Sequence, residues 1–325
     1  MYYPYFRGKQ FELQAIRDSS QTLADAGFIP IIEPVRKSTT GLNALKRALT
    51  KLIENNGKAF LVVNPKHGEL KNDTKVVLSF IEDEFPGNNL ITPAILLHEK
   101  LDPTILKNLL STVPDNPILI HDGYPQAREI SNLDDININD TTHVFIEKRA
   151  KTLYQRNFTN GSKVLIYDGF NKMNNADYPK VESFSELHIT YKDKDRNPTL
   201  NGFGDFLIVG DNYSDSGGPA YAVAIHLTYI DPTQDDAMLI RHFISDKNDS
   251  PADPARKFQE ALRKLIDEID KPDSPFFMEG TAVREFRRLN NEGHFPGLGY
   301  VKKLSMIHHI ETIADFTRQK SSTIE

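Results

Sequence analysis

The chain of 325 residues contains no cysteine. Without a thiol there can be no disulfide, no thiolate nucleophile and no cysteine-ligated zinc or iron–sulfur centre, so any metal would have to be held by His, Asp and Glu. No run approaches the roughly 18 apolar residues of a membrane span, and the opening MYYPYFRGKQ lacks the continuous apolar core of a signal peptide. The expected location is therefore the cytoplasm. An excess of positive charge is missing as well: 39 Lys and Arg face 45 Asp and Glu, a net charge of -6. That argues against general adhesion to nucleic acid or an anionic membrane and leaves only a local basic patch to make such contact. Several short signatures are also absent: G-x-G-x-x-G after the first expected strand, G-x-x-x-x-G-K-S/T, H-E-x-x-H, G-x-S-x-G and His-x-His. A Ser-His-Asp hydrolase and a motif-encoded nucleotide or zinc site therefore have no support.

What the chain does have is a succession of short Val/Ile/Leu-rich runs separated by amphipathic stretches. The runs at 28–33, 59–64, 91–98, 118–122, 143–148, 164–168, 206–209 and 222–227 read as eight buried strands, and 9–26, 42–55, 75–84, 103–112 and 125–131 as helices. Alternation of this kind is the pattern of a parallel sheet covered on both faces. Eight units over some 230 residues predict an α/β fold of the (β/α)8 TIM-barrel type, with a doubly wound open sheet as the rival. The barrel is expected to occupy residues 1–270, followed by a helical extension at 271–325 packed on it. The polar segment 171–194 is expected to be a loop or lid.

In such a barrel, chemistry sits where the strands end. The polar residues that terminate the eight runs are Glu33, Asn64, His98, Asp122, Lys148, Asp168, Asp211 and His226. Counting back by twos from Glu33, Asn64, His98, Asp122, Lys148, Asp168 and His226 gives mostly branched and small residues, such as Ile31, Val62, Leu96, Ile120, Ile146, Ile166 and Ala224, which suit a tapered barrel interior. Asp122, Lys148 and Asp168 would stand side by side at about 5 Å strand spacing. A lysine there could orient a carboxylate base or hold an anion, or it could close a structural salt-bridge network. His98 would neighbour Asp122 as an acid–base or metal-ligating pair, and Glu33 would adjoin His226 where the barrel closes. A helix over 9–26 running antiparallel to the first strand would bring Arg7 and Lys9 to the same rim, beside an anion or paired with Glu33. In the tail, Arg284, Arg287, Arg288, Lys302 and Lys303 form either a phosphate-facing patch or a solvated helical face.

The stretch GFGDFLIVGDNYSDSGGPAYAVAIHLTYI at 202–230, with Tyr3-Pro4-Tyr5-Phe6-Arg7-Gly8-Lys9 and His242-Phe243-Ile244-Ser245-Asp246, resembles the "beta protein" family of bacteria and phages. The similarity runs from the N-terminus to about residue 265. It implies a phage or phage-defence setting and no catalytic residues. Two functions follow as expectations. One is a hydrolase using Glu33, His98, Asp122, Lys148, Asp168 and His226 on a small anionic or phosphate-bearing substrate, with Arg7, Lys9, Asn64 and Asp211 binding it; a divalent metal is compatible with this set, and the sequence names no cofactor. The other is a non-catalytic scaffold that recognises a protein partner encoded by a neighbouring gene. The apolar stripe of the tail also suits a second copy of the chain.

Overall fold

The structure, a computed structural model, describes residues 1–113, 116–132, 140–193, 195, 199–215, 217–218, 220–246, 248 and 250–322. The chain divides into two compact units, one of residues 1–168 with 187–206 and one of 169–186 with 207–325. This differs from the expected division at 270. The barrel uses less of the chain, and the second unit is more than a helical extension.

The first unit is a (β/α)8 barrel of the TIM type. Its strands follow one another around the sheet as β1 (Tyr5–Phe6), β2 (Ile31–Ile32), β3 (Ala59–Val62), β4 (Ile91–His98), β5 (Ile118–Asp122), β6 (Thr142–Ile146) and β7 (Ser162–Tyr167). The next strand in the chain, β8 (Val181–Ser185), belongs to the second unit, and β9 (Gly202–Asp205) completes the barrel. All barrel pairings are parallel. Closure comes from a parallel bridge between Tyr2 and Phe203, with Tyr3 N–H donating to Phe203 O at 2.8 Å and Phe203 N–H to Met1 O at 3.0 Å. The connecting helices are α1 (Gln10–Asp18), α2 (Ser20–Asp25), α3 (Thr39–Glu54), α4 (Thr74–Glu84), α5 (Pro103–Leu110), α6 (Ala127–Ser131), α7 (Thr152–Gln155) and α8 (Leu187–Thr190). Three of them start where the sequence supplies a capping oxygen: Ser38, Asp73 and Asp102 accept from backbone N–H groups of α3, α4 and α5.

Alternation by two sorts the strand residues as expected. Ile31, Val62, Leu96, Ile120, Ile146 and Ile166 form the interior together with Tyr3, Tyr5 and Phe206. Val63, Ile95, Leu97, Leu119 and Phe145 face outward onto Leu106, Leu109, Ile130 and Phe158. The expected seventh and eighth strands are corrected. Residues 207–209 form a turn, with Leu207 at φ 49°, and the strand lies just before it at Gly202–Asp205. Run 222–227 falls in the second unit, and the missing barrel strand is β1. Gly204 shows why β9 carries so little side chain: a Cβ there would sit 2.0 Å from the Tyr3 carbonyl oxygen, so only glycine lets the two strands meet.

The second unit is built on an antiparallel sheet in the order β10 (Ala224–Asp231), β11 (Ala237–Ile244), β8. The segment 171–194, expected as a loop, supplies β8 and α8; its Lys194 lies outside the described residues. Three helices follow, α9 (Pro254–Ile269), α10 (Thr281–Glu292) and α11 (Leu298–Ser322). Ile225, Leu227, Tyr229, Leu239 and Phe243 share a core with Phe258, Leu262 and Leu265 of α9 and Phe286 and Leu289 of α10. β10 would be an open edge, but α11 covers it. His308 Nε2 donates to Thr228 O at 3.0 Å, and His309 Nδ1 lies 2.8 Å from Thr228 Oγ1.

Glu311 of α11 also caps α10 from outside the helix. Its carboxylate accepts from Thr281 N at 2.7 Å, Ala282 N at 3.3 Å and the Thr281 hydroxyl. These are the N–H groups that a helix leaves unpaired at its start. Glu311→Ala is expected to lower stability by about 2 kcal/mol, the upper end for loss of a cap, read as a lower urea midpoint at unchanged slope. A change below ~0.5 kcal/mol would mean water replaces the carboxylate.

Candidate active site

The carboxyl ends of the barrel strands bring together four of the expected residues, Arg7, Glu33, His98 and Asp122. Arg7 follows β1 directly. Gly8 then turns the chain at φ 59°, where a Cβ would press to 2.9 Å on the Glu33 carbonyl oxygen. The Arg7 guanidinium is held between the Tyr5 and Phe206 rings, 4.7 and 4.8 Å from their centroids, and pairs with Glu33 Oε2 at 3.2 Å. The expected pairing with Glu33 is thus observed, but Arg7 reaches the rim as the end of a strand and not as the start of a helix. Lys9 is half-buried and precedes α1, which breaks from α2 at Ser19.

Glu33 is fully buried and has partners on both oxygens. Oε1 accepts from Lys66 N at 2.9 Å and His67 N at 3.1 Å and lies 2.9 Å from His67 Nδ1; Oε2 lies 3.2 Å from both the Tyr5 hydroxyl and Arg7. Burial alone would raise its pKa. The Arg7 charge, the His67 hydrogen bond and charge and the Lys66 N–H overcome that and hold the carboxyl at about 2. It is therefore ionised at neutral pH, and the same charge joins with burial in raising the Tyr5 phenol well above its ordinary range.

One strand pair further on, Asp122 is gripped through one oxygen by Lys66 Nζ and through the other by Arg149 Nε. Two cations meet one carboxylate. His98 and Asp122 are register partners on β4 and β5. His98 Nδ1 accepts the Lys100 N–H at 3.2 Å, which puts the proton of the neutral ring on Nε2. Burial lowers the His98 pKa, with Asp122 opposing and Lys66 reinforcing the shift, so the ring is neutral at pH 7.

Apart from the buried Arg7, the partners of the two carboxylates stand nearer to solvent than the carboxylates do. The Glu33 and Asp122 side chains are 0% exposed, whereas Lys66, His67 and Arg149 are 21%, 22% and 28% exposed. In these two clusters a ligand meets Lys66, His67 and Arg149 before it meets Glu33 or Asp122.

The other expected residues stand elsewhere or are otherwise engaged. Lys148 is exposed, and Arg149 takes the role assigned to it. β6 ends at Ile146 and the chain coils at once, with Arg149 N and Ala150 N both donating to Ile146 O, so counting by twos fails beyond that point. Asn64 is committed to the barrel wall, exchanging hydrogen bonds of 2.9 and 2.8 Å with the backbone of Leu96. Asp168 is half-buried. His226 and Asp211 belong to the second unit, where His226 Nδ1 lies 2.7 Å from His242 Nδ1. Among the described residues no three His, Asp or Glu side chains are arranged to hold a metal ion.

The tail cations are largely neutralised. Arg288 pairs with Glu285 and Glu292, Arg287 pairs with Asp270, and Lys303 is buried with Nζ 3.9 Å from the Tyr300 ring centroid. Among the described residues no helix is long and apolar enough to cross a membrane. Set against protein-family models, curated proteins and solved structures, the chain matches none of them.

Proposed function

We propose that the barrel unit binds a small anionic, phosphate-bearing molecule at the carboxyl ends of its strands and acts on it as a hydrolase. One observation carries this reading: Lys66, His67 and Arg149 are partly exposed over Glu33 and Asp122, whose side chains have no exposure. Lysine and arginine that already converge on the two oxygens of Asp122 are spaced to receive the oxygens of a phosphoryl group. The interior beneath is filled by Tyr5, Phe206, Ile120 and their neighbours, so the ligand lies on the rim with its charged group downward. The biological setting is phage defence, a reading that rests on the resemblance at 3–9, 202–230 and 242–246. The site of action is the cytoplasm.

Calorimetric titration with inorganic phosphate and with nucleoside monophosphates tests the binding. Arg149→Ala is expected to weaken it about tenfold or more, as removal of one charged hydrogen bond does, and Kd should rise with ionic strength. Saturable binding that ignores both the substitution and salt would count against the site.

A second reading has its own observation. Glu33 is saturated by Arg7, Tyr5, Lys66 and His67, as in a rim built for rigidity, which suits a scaffold that holds a protein partner. Phage protection that survives Arg149→Ala in a plaque assay would favour the scaffold.

A further inference from the structure

Resting on the anion-binding reading above, we infer that Glu33 and His67 form a carboxylate–imidazole dyad in which His67 is the general base for hydrolysis of a phosphomonoester. Neither the spacing of the sequence nor the run of strand ends singles out His67; its position follows from the fold. It lies in the connection between β3 and α4, and three contacts fix it to one oxygen of Glu33: Lys66 N, its own N–H at 3.1 Å and its own ring nitrogen Nδ1 at 2.9 Å. Backbone and ring are anchored to the same atom, so a swing of the imidazole costs the Nδ1 contact while the backbone stays in place.

The protonation states follow from the same geometry. Glu33 is ionised and can only accept, so Nδ1 of His67 must donate, which leaves the basic lone pair of the neutral ring on Nε2. A buried carboxylate that fixes the tautomer of a partly exposed imidazole, and stabilises it once it is protonated, is the working part of known acid–base pairs. His67 is 22% exposed and Glu33 not at all, so the imidazole is the member that meets solvent. Glu33 acts as a positioning residue.

The reaction balances without any further reagent. With the phosphoryl group held by Lys66 and Arg149, a water gives a proton to His67 Nε2 as its oxygen forms a bond to phosphorus. The ester P–O bond breaks with its electron pair going to the departing oxygen, which takes a proton from solvent, while His67 returns its proton to solvent. Phosphomonoester and water become inorganic phosphate and an alcohol. His98, neutral with its proton on Nε2, offers the rim a hydrogen-bond donor for a phosphoryl oxygen without being asked to give up that proton.

The test uses the full chain, 4-nitrophenyl phosphate as substrate and inorganic phosphate as the binding probe. Wild type is expected to hydrolyse the ester. His67→Gln should lower kcat at least a hundredfold, and exogenous imidazole should restore part of the loss in His67→Gly. Glu33→Gln should lower kcat about tenfold, with the loss in kcat rather than in KM. Should Glu33→Gln unfold the protein, His67→Gln, whose side chain is 22% exposed, decides alone, with a urea midpoint to show that it is folded. No saturable phosphate binding by wild type would remove the anion reading and the dyad together. Phosphate binding without ester hydrolysis, or with hydrolysis unchanged in His67→Gln, would remove the dyad and leave the anion site standing.

Discussion

Taken from pH 7 to pH 4, each of the two units is expected to lose about 3 kcal/mol of folding stability, most of it before any carboxylate titrates. His143 and His308 are both buried and both held at a pKa of about 4, against an ordinary value of 6.5. For His143 the cause is burial, with the Lys163 charge adding to it; for His308 it is burial and His309, against a Thr228 carbonyl that pulls the other way. Among the described residues His143 Nε2 and His308 Nδ1 have no hydrogen-bond partner, so an added proton finds no acceptor. A depressed histidine leaves stability untouched above 6.5. Below that the unfolded chain takes a proton that the folded chain refuses, and the loss grows until the pH reaches the folded value. Over 2.5 pH units each histidine is worth about 3 kcal/mol.

His121 and His226 are shifted in the same direction and add to the slope. Glu33 works in a lower window: its pKa is depressed from 4.5 to about 2, so its contribution is complete above 4.5 and disappears only as pH falls toward 2. A loss of ~3 kcal/mol is a large part of the stability of an ordinary domain, so acid unfolding should set in between pH 6 and 4. Urea midpoints across that range measure it. His308→Gln, which keeps a donor for Thr228 O and cannot titrate, should remove about 3 kcal/mol of the loss from the second unit and none from the barrel. A midpoint that stays flat to pH 4.5 would show that these rings are not kept neutral by the fold.

Arg7→Met is expected to cost about 3–5 kcal/mol, the range for removing one partner of a buried ion pair. The methionine fills the slot between Tyr5 and Phe206, so lost packing is a small part of the effect. What remains is Glu33, still fully buried and still ionised, without the guanidinium that offsets its desolvation. The same substitution should raise the Glu33 pKa, visible as stability that now begins to fall at higher pH. Arg7→Met/Glu33→Met should recover only part of the loss, because Lys66 N–H and His67 N–H would then lack their acceptor. Full recovery would mean that Glu33 serves Arg7 alone and does not hold the β3–α4 connection.

The barrel was legible in the sequence because its middle strands obey one rule. From Ile31 to Ile166, inward positions repeat by two and, apart from Phe60 and Ala94, are β-branched or leucine. β1 escaped because two residues between Pro4 and Arg7 carry no alternation to read. β9 escaped because its interior positions are Gly202 and Gly204, emptied to admit Tyr3, while the apolar run beside it is a turn. The run 222–227 looked like a barrel strand because β10 is buried on both faces, the same cue a parallel strand gives. In the site, the residues at run ends were found: Glu33, His98 and Asp122. Lys66, His67 and Arg149 were missed because they lie in loops, and loop positions follow partners rather than a period. Only the buried carboxylates reveal where those loops must go.

The placement of β8 has a consequence for synthesis on the ribosome. Residues 169–186 leave the growing chain before β9, so the barrel can close as soon as Asp205 has emerged, whereas β8 then has no strand to pair with. Its partner β11 begins at Ala237 and β8 ends at Ser185, a gap that takes about 3–10 s to translate at roughly 5–20 residues per second. Throughout that interval a strand hangs from a finished barrel with both edges bare. Its sequence, Val-Glu-Ser-Phe-Ser, is short, carries a charge and has hydroxyls at two of five positions, features that discourage pairing with neighbouring nascent chains.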